Sequence, residues 1–410
     1  MNPRDTVSAT RWALVALLIC SGIVGATQSG KAPLALPAIR GDLDIGLVAA
    51  GLVVSMFHAI TGLFGATAGI VGDRFGHRQI LLVGYVLLMG GGAIGWLAPD
   101  ATVLLISRFI EGIGFVGVTV SAPALLARVA APRHHRLVFG LYGINFPSGV
   151  AIMMVVAAVL LPAFGWRGLW FVNMLLCGVM VLLLLRATRT LGAVAGAPVE
   201  RRRLRDLKAV VISPGPWLLS LSFVTYGTLW AAVVLWMPAY MVEEQHRSVL
   251  FASLVGAAIV AANAMGNIIG ARLNHAGVPA WLLVAIGGAA MGVLARFIFP
   301  PEVPELEKYA LAFLFSLVGG LIPASLLGSA AQHAPSPALV GSTLGLIFQG
   351  AHAGNFAGPP LLAAAVAMGG GWSNADWPLL GCGLLVVALA LALRHVERRM
   401  RKARALDAKG

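Results

Sequence analysis

The residues of this sequence that could do chemistry sit where charge is costly. In Ser107-Arg108-Phe109-Ile110-Glu111-Gly112-Ile113-Gly114, a cation and a carboxylate lie three residues apart within a long apolar stretch. On a helix, that spacing puts both on one face, where they can pair. Counting 1.5 Å per residue from Thr102 puts Glu111 roughly 13 Å deep, close to the middle of a bilayer. An ionisable group there costs about 2.5–3.5 kcal/mol on insertion scales, which makes it a functional candidate by default. Two roles fit Glu111: a group that takes and releases a proton, or one half of a structural ion pair that locks its helix. A second cation stands in Gly25-Ala26-Thr27-Gln28-Ser29-Gly30-Lys31-Ala32-Pro33. A polar run of this kind is tolerated at membrane depth only against protein or a water-filled cavity. Lys31, with Gln28 beside it, can face that interior and bind an anion, or it can snorkel to the surface.

Other polar groups carry less information. His58 and Thr61, Asn145, Asn263 and Asn267, and Gln349, His352 and Asn355 all fall inside apolar runs. Each can contact a ligand or simply join helices by hydrogen bonds. His58 and His352 can titrate near neutral pH or stay neutral and hydrogen-bonded. Tyr226 and Trp230, four residues apart, can form an aromatic wall for substrate or pack as core. Arg296, near the end of its run, reads as a snorkelling cation. The three cysteines, Cys20, Cys177 and Cys382, read as small buried hydrophobes, with neither disulfide nor metal site implied. No phosphate-binding G-x-x-x-x-G-K-[ST] occurs, so nucleotide hydrolysis is not the energy source. No cofactor, metal or enzymatic activity is expected.

The elements that must position these groups are transmembrane helices. Of 410 residues, 59% are hydrophobic and 11% charged, far below the roughly 25% charged of soluble domains. The mean hydropathy is +0.88. Spans need roughly 20 apolar residues. Runs occur near 12–36, 47–71, 79–98, 102–127, 137–162 and 168–186, and again near 215–242, 249–271, 281–299, 309–330, 341–367 and 377–394. The first follows Arg4 and Arg11, as a signal peptide would, but it is long and reads as a retained helix. The expected fold is an all-α membrane protein of twelve helices in two six-helix bundles. The bundles cover 1–186 and 215–394, with a basic linker at 187–214 and a basic tail at 395–410. The net charge of +13 does not point to nucleic acid, because most of the 29 Lys and Arg fall in short connections, the linker and the tail. By the positive-inside rule these lie in the cytoplasm, and both termini with them.

Between the second and third runs stands Gly69-Ile70-Val71-Gly72-Asp73-Arg74-Phe75-Gly76-His77-Arg78. Such charge cannot cross lipid and belongs at the water surface, in a tight connection. The segment resembles the loop between helices 2 and 3 of the major facilitator superfamily, G-x-x-x-D-R-x-G-R-R, with His77 in place of one basic residue. Arg108-x-x-Glu111-Gly112-x-Gly114 is similar to that family's R-x-x-Q-G-x-G, with Glu for Gln. Gly266-Asn267-Ile268-Ile269-Gly270-Ala271-Arg272 looks like a worn second copy of the loop motif. The 341–367 run carries Gly350, Gly354 and Gly358, four apart, before a proline break. The Gly-Pro and Gly-Gly of the family's drug antiporters do not occur in the 137–162 run.

The resemblance implies a secondary transporter of the bacterial inner membrane, working as a monomer among lipids. It implies that helices 1, 4, 7 and 10 line a central cavity. That places Lys31, Gln28, Arg108, His58, Asn145, Tyr226, Trp230, Gln349, His352 and Asn355 as candidate substrate contacts, and Glu111 as the proton carrier. Gly69, Asp73, Arg74, Gly76, Arg78 and Arg136 would form a conformational gate. Two interior cations against one carboxylate favour a small organic anion, such as a monocarboxylate, carried together with a proton. The alternative is a proton-linked exporter of apolar or cationic drugs.

Overall fold

A computed structural model describes residues 9–134, 138, 141–142, 144–187, 204–336, 339–374 and 376–407, with the side chains at 66, 68–71, 73, 132, 204–207, 374 and 401–407 excluded. Arg136, most of the 187–203 linker, and the side chains of Gly69 and Asp73 therefore lie outside the described residues. Among those described, every regular element is helical. We label the spans α1 (Trp12–Leu43), α2 (Leu47–Phe75), α3 (His77–Trp96) and α4 (Ala101–Val129), followed by Asn145–Arg186. That last helix breaks at Gly165, whose φ of 63° leaves the helical region, giving α5 (145–164) and α6 (166–186). Then come α7 (Pro214–Glu243), α8 (Val249–His275), α9 (Ala280–Ala295), α10 (Glu305–Gly328), α11 (Val340–Gly369) and α12 (Asp376–Asp407). Among the described residues these twelve segments fall on the twelve apolar runs of the sequence. Leu63, Phe64, Val159, Phe164 and Leu182 stay more than half exposed, which suits surfaces that face lipid.

The chain divides into two compact units. One comprises 1–203 with 237–261, and the other 204–236 with 262–410. In the first, α1 packs against α4, α5 and α6, and α3 lies along α4. A Cβ on Gly91 of α3 would lie 2.7 Å from Glu111 Cγ and 3.0 Å from its backbone N, so α3 presses directly on the buried carboxylate. In the second, the glycine stripe of α11 lies on α7. A Cβ on Gly350 would fall 2.5 Å from Ser220 O, and one on Gly354 would fall 2.8 Å from Thr228 N.

Two local expectations are corrected, at the prolines and in the linker. The connection at 73–78 is tight, as expected: α2 runs through Arg74 to Phe75, and Gly76 alone separates it from α3. Gly76 adopts a φ of 91°, and its N–H reaches Gly72 O at 2.8 Å. The helices containing Pro33, Pro37, Pro359 and Pro360 continue past them to Leu43 and Gly369. Lipid leaves unpaired backbone no alternative partner, so the helix persists around a proline. Within the linker, Leu204–Val211 is a short helix.

Candidate functional site: a buried ion cluster on α1, α4 and α6

Arg108 and Glu111 project from α4, whose N-terminus is capped by Asp100 accepting from Val103 N at 2.9 Å. Both are fully buried, as are Lys31 and Gln28 on α1. Glu111 divides its carboxylate between the two cations. Oε1 lies 2.6 Å from Lys31 Nζ and Oε2 lies 2.5 Å from Arg108 Nη1. Lys31 does not snorkel: its ammonium also donates to Gln28 Oε1 at 2.6 Å and lies 4.6 Å from the centre of the Trp170 ring. Arg108 donates from Nε to Val53 O and from Nη1 to Gln28 O, each at 3.0 Å. Its guanidinium stacks 5.0 Å from the centre of Phe57, while Nη2 has no hydrogen-bond partner. The cluster thus carries two cations against one carboxylate, all fully buried. It also keeps a spare donor on Arg108.

A stripe on α6 supports this arrangement. Trp166, Trp170, Asn173 and Cys177 fall at helical spacing on the side facing α1. Trp166 Nε1 donates to Asp42 Oδ2 at 3.0 Å, and Thr27 Oγ1 donates to Asn173 Oδ1 at 2.8 Å. Cys177 is more than inert filling: its sulfur accepts from Gln28 Nε2 at 3.1 Å, orienting the amide whose oxygen holds Lys31. Ser107 bonds Gly91 O at 2.9 Å, tying α4 to α3 beside Glu111.

The remaining sequence candidates are more dispersed. His58 on α2 is buried, bonds Ser29 Oγ at 3.1 Å, and lies among Phe57, Phe115 and Phe146. Asn145 packs its amide against Gly22 of α1, away from the cluster. In the second unit, Tyr226 accepts from Asn263 Nδ2 at 2.9 Å, and Trp230 donates to Ser316 Oγ at 3.2 Å. Both therefore bind neighbouring helices through their polar ends. Gln349, His352 and Asn355 share α11; His352 is buried, and Asn355 Oδ1 approaches Gly227. Arg296 does not reach simply to water: it pairs with Asp376 at the start of α12 and stacks on Trp377. Of the gate candidates, Arg74 and Gly76 are exposed and Arg78 is half-buried. Trp170, Phe57 and Asn173 were not singled out from the sequence. The recurrence at 166, 170, 173 and 177 was the available signal, but aromatic and small residues at that spacing are common in any packed helix.

Comparison with known proteins agrees with this architecture. The Major Facilitator Superfamily profile matches residues 17–359. A 2-nitroimidazole transporter of Escherichia coli is 24% identical over 92% of this chain and 93% of its own length. A probable 4-methylmuconolactone transporter of Cupriavidus pinatubonensis is 27% identical over 51% of this chain, which spans only 50% of that relative. A hexuronate transporter of Bacillus subtilis is 23% identical over 70% of this chain and 64% of the relative. The crystal structure of a bacterial homologue of the human lysosomal transporter Spinster, inward-facing and occupied, shares the fold. It aligns with a TM-score of 0.78 over 95% of this chain and 97% of that one, at 16% identity. Profile, relatives, fold and apolar helices converge: the chain belongs to the Major Facilitator Superfamily, and it is an integral membrane secondary transporter, not an enzyme.

Proposed function

We propose that the chain carries a small organic anion, most simply a carboxylate, together with a proton across the bacterial inner membrane by alternating access. The observation that carries this reading is the sharing of Glu111 between Lys31 and Arg108 in a fully buried cluster. Protonation of Glu111 frees the two cations, and a substrate carboxylate then takes the place of the neutralised carboxyl, so that no buried charge stays unpaired. The cluster's charge is the same before and after this exchange. One monoanion therefore travels with one proton, and transport is electroneutral. Lys31 and Arg108 hold the anion, Gln28 aims Lys31, and Glu111 carries the proton. The hexuronate relative is consistent with an anionic cargo.

The test separates binding from coupling. Lys31→Ala is expected to abolish anion binding. Lys31→Arg retains part of it, since charge survives while geometry changes. Glu111→Gln mimics the protonated carboxyl and is expected to lose pH-driven uptake while retaining substrate exchange, which needs no net proton movement. Uptake into proteoliposomes under an imposed pH difference, beside a thermal-shift panel of carboxylates, inorganic anions and organic cations, reads both. A bound ligand raises stability by RT ln(1 + [L]/Kd), so weak binders register. Normal anion binding by Lys31→Ala removes the assignment. The second reading, a proton-linked exporter of drugs or other apolar or cationic compounds, is favoured by the nearly full-length relative named for a nitroimidazole. Stabilisation by cations and not by carboxylates would select it.

A further inference from the structure

Protonation of Glu111 removes two ion pairs at once, and its consequences for the two cations differ. Arg108 keeps Val53 O, Gln28 O and the face of Phe57, and its guanidinium also lies over Trp170, 6.0 Å from the ring centre and farther than the ammonium. Lys31 keeps only Gln28 Oε1 and the face of Trp170, with its ammonium 4.6 Å from the ring centre. A buried lysine that loses its carboxylate tends to shed its own proton, and a neutral amine no longer attracts an anion. We propose that Trp170 is the π partner that keeps Lys31 charged and aimed while Glu111 is protonated, and is thus a positioning residue of the anion site. The proposal rests on the proton-and-anion reading of the cluster.

The indole is built to hold that position. Trp170 is fully buried, and its edge presses on Gly95 of α3, where any Cβ would collide with it. Trp166 meets it edge-on, with centroids 5.5 Å apart and an interplanar angle of 89°, and is itself tied to Asp42. The ring cannot turn its face away from Lys31 without displacing α3 or Trp166. Indole offers the strongest π face among the side chains, and the interaction is largest where the cation is desolvated.

Double-mutant cycles test this without any ligand. Trp170→Leu and Trp170→Phe are made in the wild-type, Glu111→Gln and Glu111→Gln/Lys31→Met backgrounds, and unfolding of the purified protein is compared. Trp170→Leu is expected to shift the unfolding equilibrium about tenfold to thirtyfold more in Glu111→Gln than in wild type, because there the ring is the main remaining partner of the ammonium. In Glu111→Gln/Lys31→Met that excess disappears, and in Glu111→Gln the penalty of Trp170→Phe is smaller than that of Trp170→Leu, because phenyl keeps a weaker π face. Equal penalties in all three backgrounds would show that Trp170 only fills space and would overturn the proposal. If Trp170→Leu does not fold, Trp170→Phe and Trp170→Tyr in the same backgrounds give the same comparison. A wild-type protein that no carboxylate stabilises refutes the anion reading instead, so the two failures are distinguishable.

Discussion

At the scale of residues, one carboxylate holds two cations, and this asymmetry sets an order of mutational costs. Glu111→Ala strands two fully buried cations, Lys31 and Arg108, together, which costs about 3–5 kcal/mol for a broken buried pair. Lys31→Met costs less, because Glu111 keeps Arg108. Melting of the two variants in one detergent checks the order, and a Glu111→Ala protein as stable as Lys31→Met contradicts the shared pairing. The sequence made half of this cluster legible. Arg108 and Glu111 are three apart on one helix, so their pairing follows from helical geometry alone. Lys31 and Glu111 are separated by 80 residues, and their meeting depends on how α1 lies against α4. No local pattern encodes that register. For the same reason Trp170 and Cys177 stayed unrecognised: each acts through a partner on α1, and only the packing of α6 against α1 reveals it.

At the scale of elements, the far end of α1 has two kinds of tether. Asp42 accepts from Trp166 Nε1 and, at 2.5 Å, from Arg167 Nη1, while Arg167 Nη2 donates to Ala98 O at 2.9 Å; these bonds join α1 to the ends of α3 and α6. Arg40 pairs instead with Glu243 at the end of α7, with side-chain exposures of 27% and 20%. A partly exposed pair contributes at most about 1 kcal/mol, so Glu243→Gln is expected to leave the melting temperature nearly unchanged. If the pair latches the ends of α1 and α7, the same variant increases labelling of a cysteine introduced at Gly46. The reversed pair Arg40→Glu/Glu243→Arg suppresses that labelling again. Unaltered labelling in Glu243→Gln denies the latch. At the opposite ends, Asp73→Asn is expected to weaken transport severely while ligand affinity persists. Equal loss of both in flux and binding assays points to misfolding. Span number and approximate limits were readable because lipid demands about 20 apolar residues per crossing. The persistence of helix through Pro33, Pro37, Pro359 and Pro360 was not readable. In soluble proteins such prolines signal breaks, and in lipid the absence of water to satisfy free backbone groups reverses the preference.

At the scale of the whole molecule, charge placement sets the orientation. Twelve spans return the chain to the side where it began, and the basic groups concentrate in Arg74 and Arg78, in the 187–208 connection, and from Arg394 onward. The alternate connections hold few cations, and of those Arg40 and Arg167 are already neutralised by Glu243 and Asp42. From the positive-inside rule the expected outcome is that segments 40–46, 243–248 and 300–307 face outward, and 73–78 and 200–208 face the cytoplasm with both termini. Single cysteines at these sites, probed in intact cells with a membrane-impermeant maleimide, are expected to react only in the first group. The background for this experiment follows from the structure. Cys20 is exposed and Cys382 half-buried, so both are replaced, whereas Cys177 is buried and accepts from Gln28, so it is retained. Removing it would disturb the amide that aims Lys31 and confuse a topology result with a site defect. Labelling of the 200–208 segment from outside would invert the entire orientation.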